Sequence, residues 1–296
     1  MPRIGLDEER ETFVNENGWR PWWSVAGNVS IRASFLLRSV LLLFVCALCC
    51  SLAPLSLAAT VASVIDGDTI RLSDGKIVRY LGVNTPERGQ PFYEEARRFN
   101  EQLVGGKLIR LETRERERDK YGRELAYVFV DEVLVNAQIV AEGWGYVFIL
   151  DPLPQTDEWL HLQKNAQDRR KGMWRDGVQG PLKITTVRAN APGEDQRNPN
   201  GEYVRLCNVS DKPVVLQGFT VQDAARHRFV FPEGTLQPGF TTLLVSGAGK
   251  NMKRRGQLVF YWGAGPIWNN NGDTASVFDP AGKRVDVFRI LPAKKR

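Results

Sequence analysis

Histidine and cysteine are scarce in this chain, and their scarcity excludes several kinds of active site. The 296 residues include two histidines, and neither stands at the spacing of a catalytic triad or a metal site. Three of the four cysteines share one apolar run, so the sequence contains neither a zinc-binding motif nor a disulfide framework. The remaining cysteine, Cys207, is expected to be a buried thiol in a hydrophobic core.

Charge is present in a moderate excess of one sign. The net charge is +6 and 25% of the residues are charged, while 43% are hydrophobic, as in an ordinary globular protein. At 296 residues, the chain is long enough to bury the cores of two domains. The basic excess favours a polyanionic partner, either nucleic acid or an anionic membrane surface.

The longest apolar run indicates a targeting segment. Residues 40–59 carry no charge, follow Arg32 and Arg38, and end in small residues. This pattern is typical of a secretory signal peptide, and its length also suits an uncleaved membrane anchor. Pro54 and the small residues near the end of the run favour cleavage.

The polar segment before this run is unusual for a leader. We hypothesise that translation starts at Val29, and we assign residues 1–59 to an N-terminal extension with a signal peptide or anchor. Residues 60–296 are then expected to work outside the cytoplasm, secreted or periplasmic. A membrane-anchored form that faces outwards is the alternative.

The next segment, residues 60–178, alternates short strands with helices. Strands are predicted from alternating apolar residues at 60–65, 69–75, 76–83, 107–113 and 125–131. Helices are predicted at 92–106, 136–145 and 156–174. This mainly β arrangement with three inserted helices suits a small closed barrel, for which the OB-fold is the natural candidate.

Charged side chains are concentrated where these predicted strands end. Asp66 and Asp68 lie between the first two strands, and Arg79 lies on the third. Glu87 follows the end of the third strand, and Arg123 precedes the last one. Each residue alone fits an ordinary turn or a surface salt bridge. Together they favour one site, because the ends of different strands can meet at one rim of a barrel.

Phosphodiester hydrolysis requires this combination of groups. The reaction needs oxygen ligands for a hard cation, guanidinium groups that grip phosphate, and a carboxylate that takes or orients a water proton. Asp68, Asn84 and Thr85 supply the oxygens, and the two arginines and the glutamate named above supply the rest.

Four motifs carry a resemblance to a known family. In order, they are VIDGDTIRL, VRYLGVNTPE, DKYGRELAYV and AQDRRKGMW, and they resemble the thermonuclease (staphylococcal-nuclease-like) family from about Thr60 to Gly177. The resemblance implies an OB-type barrel with three helices that cleaves DNA and RNA with calcium.

The resemblance also implies a metal site. Asp68 would ligate Ca²⁺ together with Asn84 and the backbone carbonyl of Thr85, and Asp66 would lie just behind these ligands. Asn84 departs from the family, which has an aspartate there. We therefore expect weaker calcium binding, because a unit of negative charge is missing.

The remaining site residues are assigned to the substrate. By resemblance, Arg79 and Arg123 would bind the scissile phosphate and stabilise the transition state, and Glu87 would orient or deprotonate the attacking water. Substrate binding is further expected from Lys120 and from two base-stacking tyrosines, Tyr121 and Tyr146.

Helical periodicity disappears after a linker at 177–181. Seven or eight short strands with turns about every ten residues predict a β-sandwich over residues 182–291. The stretches GEYVRLCNVSDKPVVLQGFTVQD, GTLQPGFTTLLVSG and WNNNGDTASVFDPAGKRVD resemble lamin-tail domains, which implies an immunoglobulin-like fold. Trp262 and Trp268 are expected to be packing residues. The basic residues from Lys250 to Arg255 form either a solvated loop or a phosphate contact.

These inferences predict a secreted or periplasmic, calcium-dependent nuclease that hydrolyses DNA and RNA with low sequence specificity. We expect a monomer whose C-terminal domain binds an envelope or surface partner. The alternative is a catalytically weak protein that binds nucleic acid or attaches to a surface.

Overall fold

The computed structural model describes residues 57–119, 121–254 and 257–292. The predicted targeting run up to residue 56 lies outside the described residues, as do Lys120, Arg255 and the basic tail 294–296. Contacts group the described residues into one compact unit. The barrel and the sandwich described below are parts of that unit.

The first part of this unit is a closed β-barrel. Its strands are β1 (Leu57–Asp66), β2 (Thr69–Leu72), β3 (Ile77–Tyr80), β4 (Val83–Asn84), β5 (Leu108–Arg118), β6 (Glu124–Val130), β7 (Val133–Leu134) and β8 (Tyr146–Val147). The main sheet has the order β3-β2-β1-β5-β6-β7, and a parallel pairing of β3 with β6 closes it. The predicted OB-like barrel is thereby confirmed.

Three helices accompany the barrel in the predicted segments: α1 (Tyr93–Val104), α2 (Val135–Ala141) and α3 (Thr156–Asp168). The second and third end before their predicted limits of 145 and 174. Glu94 and Glu95 in the first turn of α1, and Asp157 and Glu158 in that of α3, complement the helix dipoles. The apolar core includes the fully buried side chains of Ile70, Tyr80, Ile109, Ile139 and Trp159.

Strand β1 begins earlier than the sequence predicts. We expected it to start at Thr60, yet Leu57 pairs with Leu111 and Ala59 pairs with Ile109 on β5. Backbone pairing does not depend on large side chains, so the small residues that resemble the exit of a signal peptide also extend this strand.

The second part is a β-sandwich. Its strands are β9 (Leu182–Arg188), β10 (Tyr203–Asn208), β11 (Val214–Val215), β12 (Thr220–Gln222), β13 (Arg228–Val230), β14 (Thr235–Leu236), β15 (Thr241–Val245), β16 (Met252–Arg254), β17 (Gln257–Tyr261), β18 (Asp273–Phe278) and β19 (Arg284–Ile290). One sheet has the order β16-β17-β15-β10-β9 and another has the order β13-β12-β18-β19.

One local prediction for the sandwich needs refinement, and a second agrees with the structure. The segment assigned to a basic loop contains a strand, because Met252–Arg254 pairs with Gln257–Val259 as a short hairpin. Trp262 and Trp268 pack edge to face with ring centroids 6.1 Å apart, and Trp268 is buried. Both tryptophans are therefore packing residues, as expected.

The barrel and the sandwich share a buried apolar cluster. It joins Tyr146, Ala166, Met173 and Trp174 of the first part to Cys207 and Val209 of the second. Ile149 and Phe240 form a parallel bridge, and the Ile149 N–H donates to the Gly239 carbonyl at 2.8 Å. Cys207 is fully buried in this interface, as its sequence context predicts.

The helices of the described residues are each too short or too polar to span a lipid bilayer.

Candidate active site

The hairpin between β1 and β2 brings two aspartates to one rim of the barrel. The Asp68 N–H donates to Asp66 Oδ1 at 3.1 Å across the turn. A Cβ atom at Gly67 would lie 2.7 Å from Thr85 Oγ1, so only glycine lets this turn approach the end of β4 so closely. The hairpin and β4 therefore deliver their polar groups to the same place.

Asp68 is the hub of the site. The residue is 5% exposed, and its Oδ1 pairs with Arg79 Nε at 3.1 Å and accepts from Thr69 Oγ1 at 3.0 Å. Its Oδ2 accepts from the Thr85 N–H at 2.8 Å. The Thr85 Oγ1 hydroxyl donates to the same Oδ2 at 3.2 Å, so these bonds use both lone-pair sites of each oxygen. They fix the carboxylate, and a cation at Asp68 would have to replace one of them.

Arg79 is held by three separate contacts. Its Nε pairs with Asp68, its Nη1 donates to the Tyr80 carbonyl at 2.6 Å, and its Nη2 donates to Asn84 Oδ1 at 2.9 Å. The side chain lies on β3, which pairs with both β2 and β6, and is nearly buried. The plane of the guanidinium group is consequently fixed.

Asn84 has only one orientation that suits its neighbours. Its Oδ1 must accept from Arg79, because a guanidinium group only donates. Its Nδ2 then donates to the Thr85 carbonyl at 3.1 Å and to the Tyr146 hydroxyl at 2.8 Å. The predicted metal ligation by Asn84 Oδ1 and by the Thr85 carbonyl would have to use the second lone pair of each oxygen, and it stays a prediction.

Arg123 reaches the site from the turn before β6. Its Nε pairs with Asp119 Oδ2 at 2.7 Å, and Asp119 Oδ1 accepts from the backbone N–H groups of Tyr121 and Arg123. The Asp119 side chain thus stabilises the turn through one oxygen and orients the Arg123 side chain through the other. The Arg123 side chain is 27% exposed, which lets it meet a ligand from solution.

The two tyrosines predicted to stack on bases have different environments. Tyr121 is 61% exposed, and Arg123 Cζ lies 5.4 Å from the centre of its ring. Tyr146 is 2% exposed, so its ring offers no open face to a base. The contribution of Tyr146 to the site is its hydroxyl group, which holds Asn84.

Two carboxyl groups at this rim retain their protons to unusually high pH. Burial and then the charge of Asp68 raise the pKa of Asp66 from 3.8 to about 7. Burial, Asp68 and Asp66 raise the pKa of Glu87 from 4.5 to about 7, against the opposing pull of Arg79 and Arg123. Water still reaches Glu87, because the residue is exposed at the edge of a concave site that protein atoms otherwise surround.

This rim suits a hard divalent cation. Its donors are carboxylate, amide and carbonyl oxygens, which Ca²⁺ prefers. The mutual repulsion of Asp66, Asp68 and Glu87 would be relieved by positive charge among them. Within the described residues, no three His, Cys, Asp or Glu side chains form a metal cage by themselves. Backbone and amide oxygens would therefore have to complete the ligand set.

A groove of about 230 Å³ opens beside Glu87, between the barrel and the sandwich. Thr85, Phe92 and Tyr146 line it from the barrel, and Lys183 and Asp286 line it from the sandwich. The second part of the chain therefore forms a wall next to the site.

Sequence reasoning missed two positioning residues. Asp119 is one of them, and the available signal is an Asp three residues before Gly122, which is typical of a turn capped by the aspartate side chain. Asn100 on α1 is fully buried, accepts from the Tyr80 hydroxyl at 2.8 Å and donates to the Asp66 carbonyl at 3.0 Å. Its position among the apolar residues of a helix was the available signal.

Comparison with known proteins identifies relatives of the barrel part of the chain. A family model described as staphylococcal nuclease homologue matches residues 77–176. The thermonuclease of Staphylococcus hyicus is 36% identical over 124 residues, which are 38% of this chain and 73% of that protein. The chain belongs to the staphylococcal nuclease family.

Two further relatives of the nuclease-family part are named as endonucleases. Endonuclease YncB of Bacillus subtilis is 36% identical over 127 residues, which are 39% of this chain and 60% of that protein. An uncharacterized endonuclease of Haemophilus influenzae is 31% identical over 153 residues, which are 49% of this chain and 81% of that protein. A second family model, described as lamin tail domain, matches residues 177–291, which make up the sandwich.

Proposed function

We propose that this protein is a calcium-dependent nuclease that hydrolyses phosphodiester bonds of DNA and RNA with low sequence specificity. The observation that carries the proposal is the Arg79 guanidinium group, which Asp68, Asn84 and a backbone carbonyl fix beside the acidic rim. A fixed guanidinium group beside a rim that can hold a metal ion places two positive charges where a phosphodiester transition state develops negative charge.

The residues divide the chemistry among them. Glu87 takes or orients the proton of the attacking water, since its carboxylate is the solvent-exposed member of the acidic group. Arg79 and Arg123 grip the phosphate oxygens and stabilise the extra negative charge of the transition state.

Calcium has a defined place in this proposal. Asp68 would hold it, with Asn84 and the Thr85 carbonyl as additional oxygens and Asp66 behind them. When bound, Ca²⁺ supplies positive charge that compensates the charge developing on the phosphate.

Low sequence specificity is supported by the exposed ring of Tyr121. An aromatic face stacks on any base, and stacking alone does not read base identity. Lys120, adjacent in sequence, would add a phosphate contact.

We further propose that the protein is secreted or periplasmic, or anchored so that it faces outwards. The support is the apolar run of residues 40–59 in the sequence. A role for the lamin-tail domain in binding an envelope or surface component, and a monomeric state, belong to the same proposal.

The rival function is binding of nucleic acid without efficient cleavage. The retention of Asp68, Arg79, Glu87 and Arg123 at one rim favours the enzyme, because a pure binding module would not need the carboxylates beside the phosphate contacts.

The test is cleavage of single- and double-stranded DNA and RNA by the full chain, with calcium or with chelator. We expect calcium-dependent cleavage, and we expect Glu87→Ala and Arg123→Ala to lower kcat/KM by roughly 10²-fold or more. Glu94→Ala and Arg97→Ala remove the same residue types from an exposed ion pair on α1 and should change the rate by less than about twofold. Binding without cleavage in the wild type would establish the rival.

A further inference from the structure

The catalytic arginine is connected to the sandwich through a chain of side chains. Arg79 Nη2 donates to Asn84 Oδ1, and Asn84 Nδ2 donates to the Tyr146 hydroxyl at 2.8 Å. Asn84 and Tyr146 stand opposite each other in the antiparallel β4–β8 ladder. One of the three contacts that hold Arg79 therefore depends on where β8 lies.

The sandwich helps to hold β8 in place. Strand β8 is only two residues long and pairs with β4 alone in the described structure. Tyr146 belongs to the buried apolar cluster that contains Cys207 and Val209. The Cys207 thiol, on β10, donates weakly to the Val147 carbonyl at 3.4 Å.

Gln163 on α3 ties the same strand to the sandwich. Its Oε1 accepts from the Val147 N–H at 2.7 Å, and its Nε2 donates to the Val209 carbonyl at 2.7 Å. The side chain is 2% exposed, so water does not compete for these bonds. One amide group thus joins the strand that carries Tyr146 to the second domain.

We propose that the lamin-tail domain is a structural part of the nuclease active site, and that Tyr146 and Gln163 are positioning residues through which it orients Arg79. The proposal rests on the proposed nuclease function. It assigns the sandwich an intramolecular role that requires no further partner.

The chain offers a matched pair of glutamines for the test. Gln167, one helical turn after Gln163, donates to the same Val209 carbonyl at 2.9 Å, but its described hydrogen bonds do not include β8. Gln163→Met and Gln167→Met therefore weaken the same interface with similar side chains. Only the first also releases Val147.

We expect Tyr146→Phe and Gln163→Met in the full chain to lower kcat by about 5- to 30-fold, since small displacements of a catalytic group are costly. KM should change by less than about threefold, because Arg123 and Tyr121 still bind substrate, and Gln167→Met should change kcat by less than about twofold. The double variant Tyr146→Phe with Gln163→Met should have a kcat little lower than that of the more impaired single variant, as expected for two residues that act through one path.

A second readout does not depend on catalysis. The buried Arg79 Nε–H should give a distinct signal in ¹⁵N–¹H spectra of the arginine side chains, assigned by its loss in Arg79→Lys. We expect this signal to shift or broaden in Tyr146→Phe and Gln163→Met, while the Arg123 signal stays unchanged.

The two readouts separate the two proposals. A wild type that does not cleave would overturn the proposed function, and the Arg79 signal would still decide whether the sandwich orients the arginine. An unchanged Arg79 signal in Tyr146→Phe, or equal losses of kcat in Gln163→Met and Gln167→Met, would overturn the positioning role. If Gln163→Met fails to fold, Tyr146→Phe alone decides the question.

Discussion

Asn84 occupies a position where an aspartate would create a local conflict. Its Nδ2 faces the Thr85 carbonyl at 3.1 Å, and a carboxylate oxygen in that place would repel the carbonyl unless a cation lay between them. The Asn84 amide therefore provides hydrogen bonds to its neighbours when no metal is bound, but it carries one negative charge fewer than an aspartate. We expect this residue to set the balance between metal affinity and stability of the metal-free protein.

This balance can be measured with Asn84→Asp. The added charge should raise calcium affinity by about 10- to 100-fold, because a divalent ion nearby is attracted by several kcal/mol and desolvation offsets a large part of that gain. The melting temperature in chelator should fall. Calcium titration calorimetry and thermal unfolding check both effects, with Asn271→Asp in an exposed turn as the control. Unchanged calcium affinity would contradict this account of the site.

The grouping of charged residues at one rim could be predicted from the sequence because its signal was local, whereas the catalytic roles of these residues stay predictions. Asp66, Asp68, Arg79, Glu87 and Arg123 follow from charges at strand ends, and the structure brings them to one rim. The burial of Tyr146 could not be predicted, because Cys207 and Val209, which share its cluster, lie about 60 residues further along the chain. Long-range packing of this kind leaves no periodic pattern.

The β1–β2 hairpin concentrates acid groups in a way that has a consequence for stability. The pKa of Asp66 is raised from 3.8 to about 7, so the folded chain keeps a proton that the unfolded chain releases above pH 4. Stability from this group is therefore fully present below about pH 4 and is lost as the pH rises to about 7. Calcium would reverse the trend by favouring the charged form.

We predict that Asp66→Asn removes part of the loss of folding stability that accompanies rising pH. In chelator, the melting temperature of the wild type should fall more between pH 5 and pH 8 than that of the variant. Asp74→Asn is the control, because Asp74 lies in the exposed turn after β2 and a backbone hydrogen bond from Lys76 lowers its pKa. Parallel plots of melting temperature against pH for wild type and Asp66→Asn would show that the Asp66 carboxyl group does not stay protonated in the folded chain.

The presence of helices and strands was predicted better than the residues at which they begin and end. The three helices and the long barrel strands occur where periodicity places them. The early start of β1 and the strand at Met252–Arg254 were missed, because short polar or small residues pair through their backbones without an alternating pattern. Both segments are strands because they pair with a neighbouring strand in the folded structure.

The shared cluster predicts how the whole molecule unfolds. Because buried side chains of both domains meet in it, removing the sandwich would expose Tyr146, Met173 and Trp174 to water. We expect one cooperative transition for barrel and sandwich, and poor solubility for a chain that ends at residue 180. Circular dichroism and tryptophan fluorescence should give coincident melting curves, and two separated transitions would contradict the prediction.

The contact between α3 and the sandwich also determines which sequence changes the protein tolerates. Gln163 and Gln167 are specific side chains, but the atom that receives both hydrogen bonds is the main-chain oxygen of Val209. Every amino acid supplies that oxygen, so residue 209 is free to drift among apolar side chains of similar size, whereas the helix must keep an amide at position 163. Substitutions across this boundary should therefore accumulate at position 209 rather than at position 163. A foreign sandwich joined near the linker should be accepted whenever it retains the backbone path at position 209.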